Sequence, residues 1–467
     1  MHHQAIEKET LLWLVAIGFF MQSLDATILN TALPSMAASL GQSPLHMQSV
    51  VVAYALTTAL LIPATGWVAD RFGTRRIYTA AMGVFVLGSV LCALAPSFQF
   101  LVAARVVQGV GGAMMLPVGR LAVLRAYPRE AFIRAMTFIA IPGQIGPLIG
   151  PAVGGWLVEY ASWHWIFWIN VPVGAIGIWA AWRWMPKQDQ QPRRPFDGVG
   201  FALLAGGMVG VSLALDGLAG IGMGHALVAV LMVFGMASLA AYWMHALRTS
   251  DPLFPPALFR VRSLRVGLLG NLFARLGSGA APFLVPLMLQ VGLGLSPFQA
   301  GTTMLATVIG SMLVKRRAVW MVQSWGYKRV LQVNSLLLGV MIAGLGLIHP
   351  GQPLWMIWAQ LFVFGCVNSI QFAAMNSVTL KDMSGPLASS GNSLLSMVQM
   401  LAMSMGVAVA GAVLTGYADL WREQEGFRLM ALQATFATVG LMTMAATLIF
   451  SQLEPREQVR AAPDHDD

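Results

Sequence analysis

Residues 66–76 read Gly66-Trp67-Val68-Ala69-Asp70-Arg71-Phe72-Gly73-Thr74-Arg75-Arg76, a short charged hinge between two long apolar runs, 47–69 and 77–95. Arg71, Arg75 and Arg76 cannot rest in hydrocarbon, whereas each flanking run is near the ~20 apolar residues that cross a bilayer core of about 30 Å. The hinge therefore reads as a turn at one membrane face, joining two membrane helices. Gly66 removes a side chain so that a neighbouring helix can approach, Asp70 suits a helix N-terminus, and the three arginines hold the turn on its side. An anion so placed is worth about 0.3–1 kcal/mol, up to about 2 when partly buried, enough to bias a two-state gate without freezing it.

The same alternation of apolar run and polar break extends along the chain. Of the 467 residues, 57% are hydrophobic and 10% charged, against about a quarter charged in an ordinary soluble domain. Runs between charged or Pro/Gly breaks give spans at 11–33, 47–69, 77–95, 98–120, 132–158, 165–184, 197–216, 222–246, 264–290, 297–322, 330–348, 354–377, 389–416 and 428–451. Barrel strands would instead alternate over about 10 residues each, so the expected class is an all-α polytopic membrane protein of fourteen transmembrane helices.

The formal charge of +9 comes with 28 Lys and Arg residues, and their positions alternate by loop. Lys8, Arg71, Arg75, Arg76, Arg120, Arg125, Arg129, Arg134, Arg183, Lys187, Arg193 and Arg194 fall on one side. Arg248, Arg260, Arg262, Arg265, the cations at 315–317, Lys328, Arg329, Lys381, Arg456 and Arg460 join them, against Arg422 and Arg428 opposite. The positive-inside rule then puts both termini in the cytoplasm and makes the basic charge a matter of orientation, not of nucleic-acid binding. Removing 197–246 leaves twelve spans with that orientation, and its flanks, 186–195 and 249–263, are the longest polar connections. The expected organisation is an N-terminal six-helix bundle (1–185), a linker carrying two extra helices (186–263), and a C-terminal six-helix bundle with a short tail (264–467).

Cys92 and Cys366 lie in apolar spans and read as packing residues, and the eight His are scattered without ligand spacing. No metal site, cofactor or catalytic set is expected, and no soluble segment is long enough for an enzyme or a sensor module. The first span carries Gln22 and Asp25 and lacks a small-residue cleavage site, so it reads as a retained helix.

Several spans carry residues that hydrocarbon tolerates poorly. In the fourth, Arg105, Gln108 and Gly112 share a face at i, i+3, i+7. A central Arg costs at least about 2.5–3.5 kcal/mol by insertion scales, so Arg105 should face protein or a watery cavity and meet an anion, or else bond to helix ends. Asp25 is the clearest acidic residue well inside a span, Asp216 falling at a span end; Asp25 either carries a coupling proton or pairs with an Arg. In the fifth span Gly146, Gly150, Pro151, Gly154 and Gly155 combine close-contact spacing with bending, which suits a gate or plain packing. Gly326-Tyr327-Lys328-Arg329 stands 253 residues after Gly73-Thr74-Arg75-Arg76, but Val319 and Gln323 occupy the places of Gly66 and Asp70. A repeat with a weaker second latch fits a rocking-bundle transporter.

These motifs together resemble the fourteen-helix drug:proton antiporter family of the major facilitator superfamily. The hinge at 66–76 is similar to the superfamily loop signature, 105–112 to a motif associated with proton coupling, and 146–155 to the antiporter signature. The run 24–34 is similar to the family's entry signature, with Ala26 where Thr is usual, and 163–172 also resembles the family, with His164 where Arg is usual. The resemblance implies the major facilitator fold, multidrug efflux across the bacterial inner membrane by alternating access, proton coupling at Asp25 and Arg105, and a monomer. It implies gating at Gly66, Asp70, Arg71, Gly73, Arg75, Arg76, Gly146, Gly150, Pro151, Gly154 and Gly155. One departure is Val398 before Gln399, where many members carry Arg.

Polar residues of later spans share faces: Asn271, Arg275 and Ser278; Asn368 and Gln371; Ser389, Asn392, Ser396 and Gln399. With Gln22 and Gln108 these are the candidates for lining a substrate cavity, interhelical hydrogen bonding being the alternative for any one of them. Lys315 reaches either lipid headgroups or the cavity mouth. Arg105, Arg275 and Lys315 against Asp25 make the embedded charge cationic, which favours a small organic anion such as a carboxylate over a lipophilic cation.

Overall fold

The computed structural model describes residues 2–127, 129–186, 195–218, 224–383 and 386–453. Lys187, Arg193, Arg194, Arg456 and Arg460, and the side chains of Lys8, Arg129 and Arg316, lie outside the described residues. The described chain is helical and without strands: α1 (His2–Ser39), α2 (Gln48–Phe72), α3 (Thr74–Ala93), α4 (Phe98–Ala126), α5 (Arg129–Tyr160), α6 (Trp165–Trp184), α7 (Gly198–Leu218), α8 (His225–Ala246) and α9 (Arg262–Gly292). Then come α10 (Pro297–Leu313), α11 (Lys315–Leu345), α12 (Leu354–Leu380), α13 (Pro386–Leu420) and α14 (Phe427–Phe450).

Among the described residues thirteen helices are long and apolar enough to cross a membrane. The fourteenth crossing is composite. The 17-residue α10 pauses at Val314, and the chain stays helical from Lys315 until the backbone turns at Gly326. Lys315 and Arg317 thus lie within a crossing helix and not beyond it. Gly326 has φ 76° and ψ 158°, and Gly73 has φ 87° and ψ 140°, a region that costs an L side chain dearly. The two turns expected to be copies therefore share one glycine conformation.

Helices α1, α3, α4, α5 and α6 pack on one another, as do α9 to α14, and the two groups meet along α5 with α10 and α2 with α13. Helices α7 and α8 form a tight pair through Gly207, Gly210 and Gly235, and α7 lies on both α2 and α13. Buried Leu, Ile, Phe, Met and Ala fill the spaces between helices. Trp13, Trp156, Trp179 and Trp355 are exposed outward instead, as in a molecule whose outer solvent is lipid.

At the start of α7, the Asp197 carboxylate accepts from Gly200 N at 2.8 Å, Leu253 N at 3.1 Å and His245 Nε2 at 2.7 Å. Burial opposes its charged form, but the bonds from Gly200, His245 and Leu253 outweigh that and hold its pKa below the usual value. A depressed carboxylate stabilises the fold above its unfolded pKa of about 3.9 and loses that contribution as pH falls through the lower folded value. Asp197→Ala is accordingly expected to lower the thermal midpoint of detergent-solubilised protein at pH 7. The gap from wild type should narrow below about pH 4, which a pH series of melting curves checks.

Candidate proton and substrate site

The polar face foreseen on α4 is buried against α1, α2, α3 and α6. Asp25 and Arg105 are each about 1% exposed. Arg105 Nη1 donates to Asp25 Oδ2 at 2.8 Å and to Gln108 Oε1 at 2.7 Å. The other carboxylate oxygen, Oδ1, accepts from Gln108 Nε2 at 2.8 Å and Asn170 Nδ2 at 2.9 Å. Arg105 Nε reaches the Val50 carbonyl at 3.4 Å, and the guanidinium lies 4.3 Å over the Tyr54 ring. Gly112 makes room for that ring, since a Cβ there would stand 2.4 Å from the Tyr54 hydroxyl.

The structure shows the pairing foreseen for Asp25 and for Arg105: each is the other's counter-ion, and both carboxylate oxygens are hydrogen-bonded. Gln108, foreseen as a cavity residue, is turned onto this pair, and its Oε1 also accepts from the Cys92 thiol at 3.6 Å. Gln22 donates to the Gly112 carbonyl at 2.8 Å, one turn along α4. Asn170 and Ser89 are members that sequence reasoning missed. Asn170 Nδ2 also donates to Ser89 Oγ at 3.1 Å, and Ser89 donates to the Phe167 carbonyl at 2.9 Å. An Asn alone in the apolar 165–184 run was the available signal. Such a pair survives burial because its remaining hydrogen-bonding capacity is met, and removing one partner typically costs about 3–5 kcal/mol.

In the second group of helices the centre of interest is Arg275. The regular helix of α9 ends at Ser278 and resumes at Ala281, which leaves Arg275 in the last turn before a break, where a cation meets the negative end of the helix dipole. Glycines at 279 and 406 let α9 and α13 approach here: a Cβ on Gly406 would stand 2.9 Å from the Arg275 carbonyl, and one on Gly279 3.1 Å from Met403 Cα. Arg275 Nε donates to Asn271 Oδ1 at 3.4 Å and its guanidinium lies 4.6 Å over Phe372. Its Nη2, buried, has no hydrogen-bond partner among the described residues. Asn271 is itself buried, donating to Gly267 O at 2.9 Å, so it orients the arginine from behind.

The remaining polar candidates divide. Gln371 accepts from Asn334 at 2.9 Å and donates to Ser335 at 2.7 Å, so it ties α12 to α11 and offers nothing to a cavity. Gln399 donates to Asn376 at 2.5 Å, joining α13 to α12. Asn368 is half-buried and Asn392 exposed. Of the two courses foreseen for Lys315 the structure shows it turned across the gap between the two helix groups, where its Nζ donates to Gln144 Oε1 on α5.

The gating candidates show which end of the molecule is shut. Where α5 meets α10, a Cβ on Gly155 would stand 2.2 Å from the Pro297 carbonyl, and one on Gly301 would stand 2.1 Å from the Pro151 carbonyl. Backbones touch there, and Glu159 accepts from Phe298 N at 3.0 Å. Gly146, Gly150 and Gly154 face the other way and seat α5 on α1, against Ser23, Thr27 and Ile28. At the opposite end Gly66 is exposed with open space in front of it, so the helix approach expected of it is not made in this state. Asp70 likewise pairs with Arg125 on α4 and not with a helix N-terminus. Arg71 lies over Trp67 and Phe72, Arg75 is half-buried and Arg76 exposed around Gly73.

The sequence model described as Major Facilitator Superfamily matches residues 15–407. The chain belongs to this superfamily. It is 50% identical over 446 residues to a protein of Pectobacterium atrosepticum carrying the name multidrug resistance protein MdtD, with 95% of each chain covered. A Serratia proteamaculans protein of the same name is 53% identical over 407 residues, covering 87% of this chain and 85% of its own. Among solved structures, a POT family transporter in complex with 5-aminolevulinic acid superposes with TM-score 0.69 at 15% identity, covering 94% of both chains. Superfamily membership makes the chain a multi-pass membrane transporter and not an enzyme.

Proposed function

We propose that this transporter is a proton-coupled exporter of small organic compounds, working as a monomer by alternating access in a bacterial inner membrane, and that its substrates are organic anions such as carboxylates. The observation that carries the anionic reading is the buried, unmatched Nη2 of Arg275 at the break in α9. Asp25 cancels Arg105, and Lys315 is exposed enough to meet water, whereas Arg275 carries a buried donor with no partner among the described residues. A guanidinium in that situation recognises a carboxylate with paired, charge-assisted hydrogen bonds. Broken helices at mid-membrane also mark substrate sites in other transporter architectures.

Direction follows from the closed end. If the basic loops are cytoplasmic, with both termini, the backbone contact at Gly155 and Gly301 seals the outer side of the α5–α10 seam, while at its inner side the Lys315 side chain reaches across to Gln144. That state loads from the cytoplasm. An inside-negative potential then contributes about 2.3 kcal/mol per 100 mV for each negative charge expelled. The glycine turns at 73 and 326 support two six-helix bundles, 1–185 and 264–467, that rock about the site, with 186–263 as the inserted linker.

A second reading, efflux of lipophilic cations, is favoured by the multidrug resistance name of the relatives, and one experiment separates the two. In proteoliposomes with an imposed pH gradient, Arg275→Ala is expected to cut tricarboxylate transport by about tenfold or more, the loss of a charged hydrogen bond being worth about 1.5–3 kcal/mol. Arg275→Lys should recover only part, since an ammonium cannot bind bidentately. Equal carboxylate transport by wild type and Arg275→Ala, with a cationic dye moved by both, would leave the multidrug reading in its place.

A further inference from the structure

Asp216 on α7 is about 6% exposed, although its span ends two residues later. Its Oδ2 accepts from Ser49 Oγ at 2.8 Å, and its Oδ1 has no hydrogen-bond partner among the described residues. Ser49 lies in the first turn of α2, so the carboxylate is held at a helix N-terminus. Beside it, the Gln48 side chain fills the space in front of Gly411 of α13. Asp216 therefore sits where α2 of one helix group meets α13 of the other, on a helix that touches both. This seam belongs to the same end of the molecule as the Gly155 and Gly301 contacts.

Among the described residues Asp216 makes no ion pair. The facing residues of α2 are Ser49 and Gln48, neither of which titrates. The segment 407–417 of α13 carries no charged residue, and Asp216 is the one charged residue of α7. The titratable groups of the neighbouring segments are Tyr417 and Asp419 near the outer end of α13, His225, which opens α8, and His46, in the turn before α2. A carboxylate this buried with one oxygen unmatched is costly as an anion without a partner. A bound proton removes the charge and turns the group into a donor.

We propose that Asp216 is a second proton-binding site of this transporter, separate from the Asp25–Arg105 pair, and that its protonation holds the α2–α13 seam shut at the outer end. When the proton leaves, the anion needs water, and water reaches it only if α2 and α13 part. Reprotonation from the outer medium lets the seam close again. The inserted helices thereby act as a proton-operated catch on the outer gate. The outer location rests on the orientation proposed above.

The test uses full-length protein with Cys92→Ala, Cys366→Ala and a reporter, Ala418→Cys, whose position is buried at the same end of α13. Right-side-out and inverted vesicles are treated with a membrane-impermeant maleimide between pH 5.5 and 8.5. Labelling from the outside, divided at each pH by that of a permanently exposed cysteine to remove the thiol's own ionisation, is expected to rise with outer pH, approaching tenfold per unit on the steep part, as one ionising group allows. With Asp216→Asn, a permanent mimic of the protonated form, labelling should stay low and flat. Ser49→Ala, which removes a bond to the anion, should move the midpoint to higher pH. A flat wild-type profile, or an Asp216→Asn profile that keeps the wild-type slope, overturns the proposal. If Asp216→Asn does not reach the membrane, an unmoved midpoint in Ser49→Ala overturns it equally. Labelling that responds to pH only in inverted vesicles overturns the orientation and the outer location, while the Asp216 dependence read there still decides the proton site.

Discussion

Arg105→Ala is expected to destabilise the protein by about 3–5 kcal/mol and to reduce transport driven by a pH gradient by two orders of magnitude or more. The variant leaves the Asp25 carboxylate about 1% exposed, still bonded to Gln108 and Asn170 but with no cation. Asp25→Asn leaves the converse fault, a buried guanidinium over Tyr54 without its anion. Each should show as a lower thermal midpoint in detergent and as slow, gradient-independent flux in proteoliposomes. The double variant Asp25→Asn, Arg105→Gln removes both charges at similar volume and should recover most of the stability, because desolvation of a buried pair offsets much of its attraction. Coupling should not return with it. Asp25→Asn that still concentrates substrate against a pH gradient as wild type does would remove this pair from the proton path.

Gly155→Val is the second large effect. A Cβ at 155 already meets the Pro297 carbonyl at 2.2 Å, and the partner is backbone in a helix seated on α12, so no side chain can swing aside. Overpacking of this kind costs about 1–3 kcal/mol, here levied on one conformation alone. Because the contact exists only while that end is closed, the variant should favour the state opened there by roughly 5- to 100-fold. The expected result is substrate binding with nearly abolished turnover, and faster maleimide labelling of a cysteine at Phe298. Normal turnover in Gly155→Val would show that α5 and α10 can close another way.

The contrast between these sites shows what sequence can carry. Hydropathy placed all fourteen crossings because lipid demands about 20 apolar residues wherever a helix crosses, whatever surrounds it. Arg105 was recognisable as needing an anion for the same reason. That the anion is Asp25, 80 residues away, and that Asn170 completes its shell, depend on how four helices pack, which no spacing within one helix reveals. The four candidate glycines of α5 told of close contact but not with whom: Gly146, Gly150 and Gly154 face α1 and Gly155 faces α10. Gly66 and Asp70 misled differently. Gly66 faces open space and Asp70 pairs with Arg125, because which helix comes near the turn is set by packing and not by the turn's own sequence. Gln371 misled because an amide on a polar face can equally well tie two helices together.

The placement of α7 over both α2 and α13 also bears on the route by which substrates arrive. In a two-bundle transporter the seams between bundles are where a molecule dissolved in lipid would slip in sideways. One seam here is covered by a close-packed helix pair, and at the other the two backbones touch at one end. A compound partitioned into the membrane would meet a wall at the first seam, and in the proposed orientation one dissolved in the cytoplasm would approach from the end opposite the Gly155 contact. Cargo of this transporter should therefore be selected first by its solubility in water.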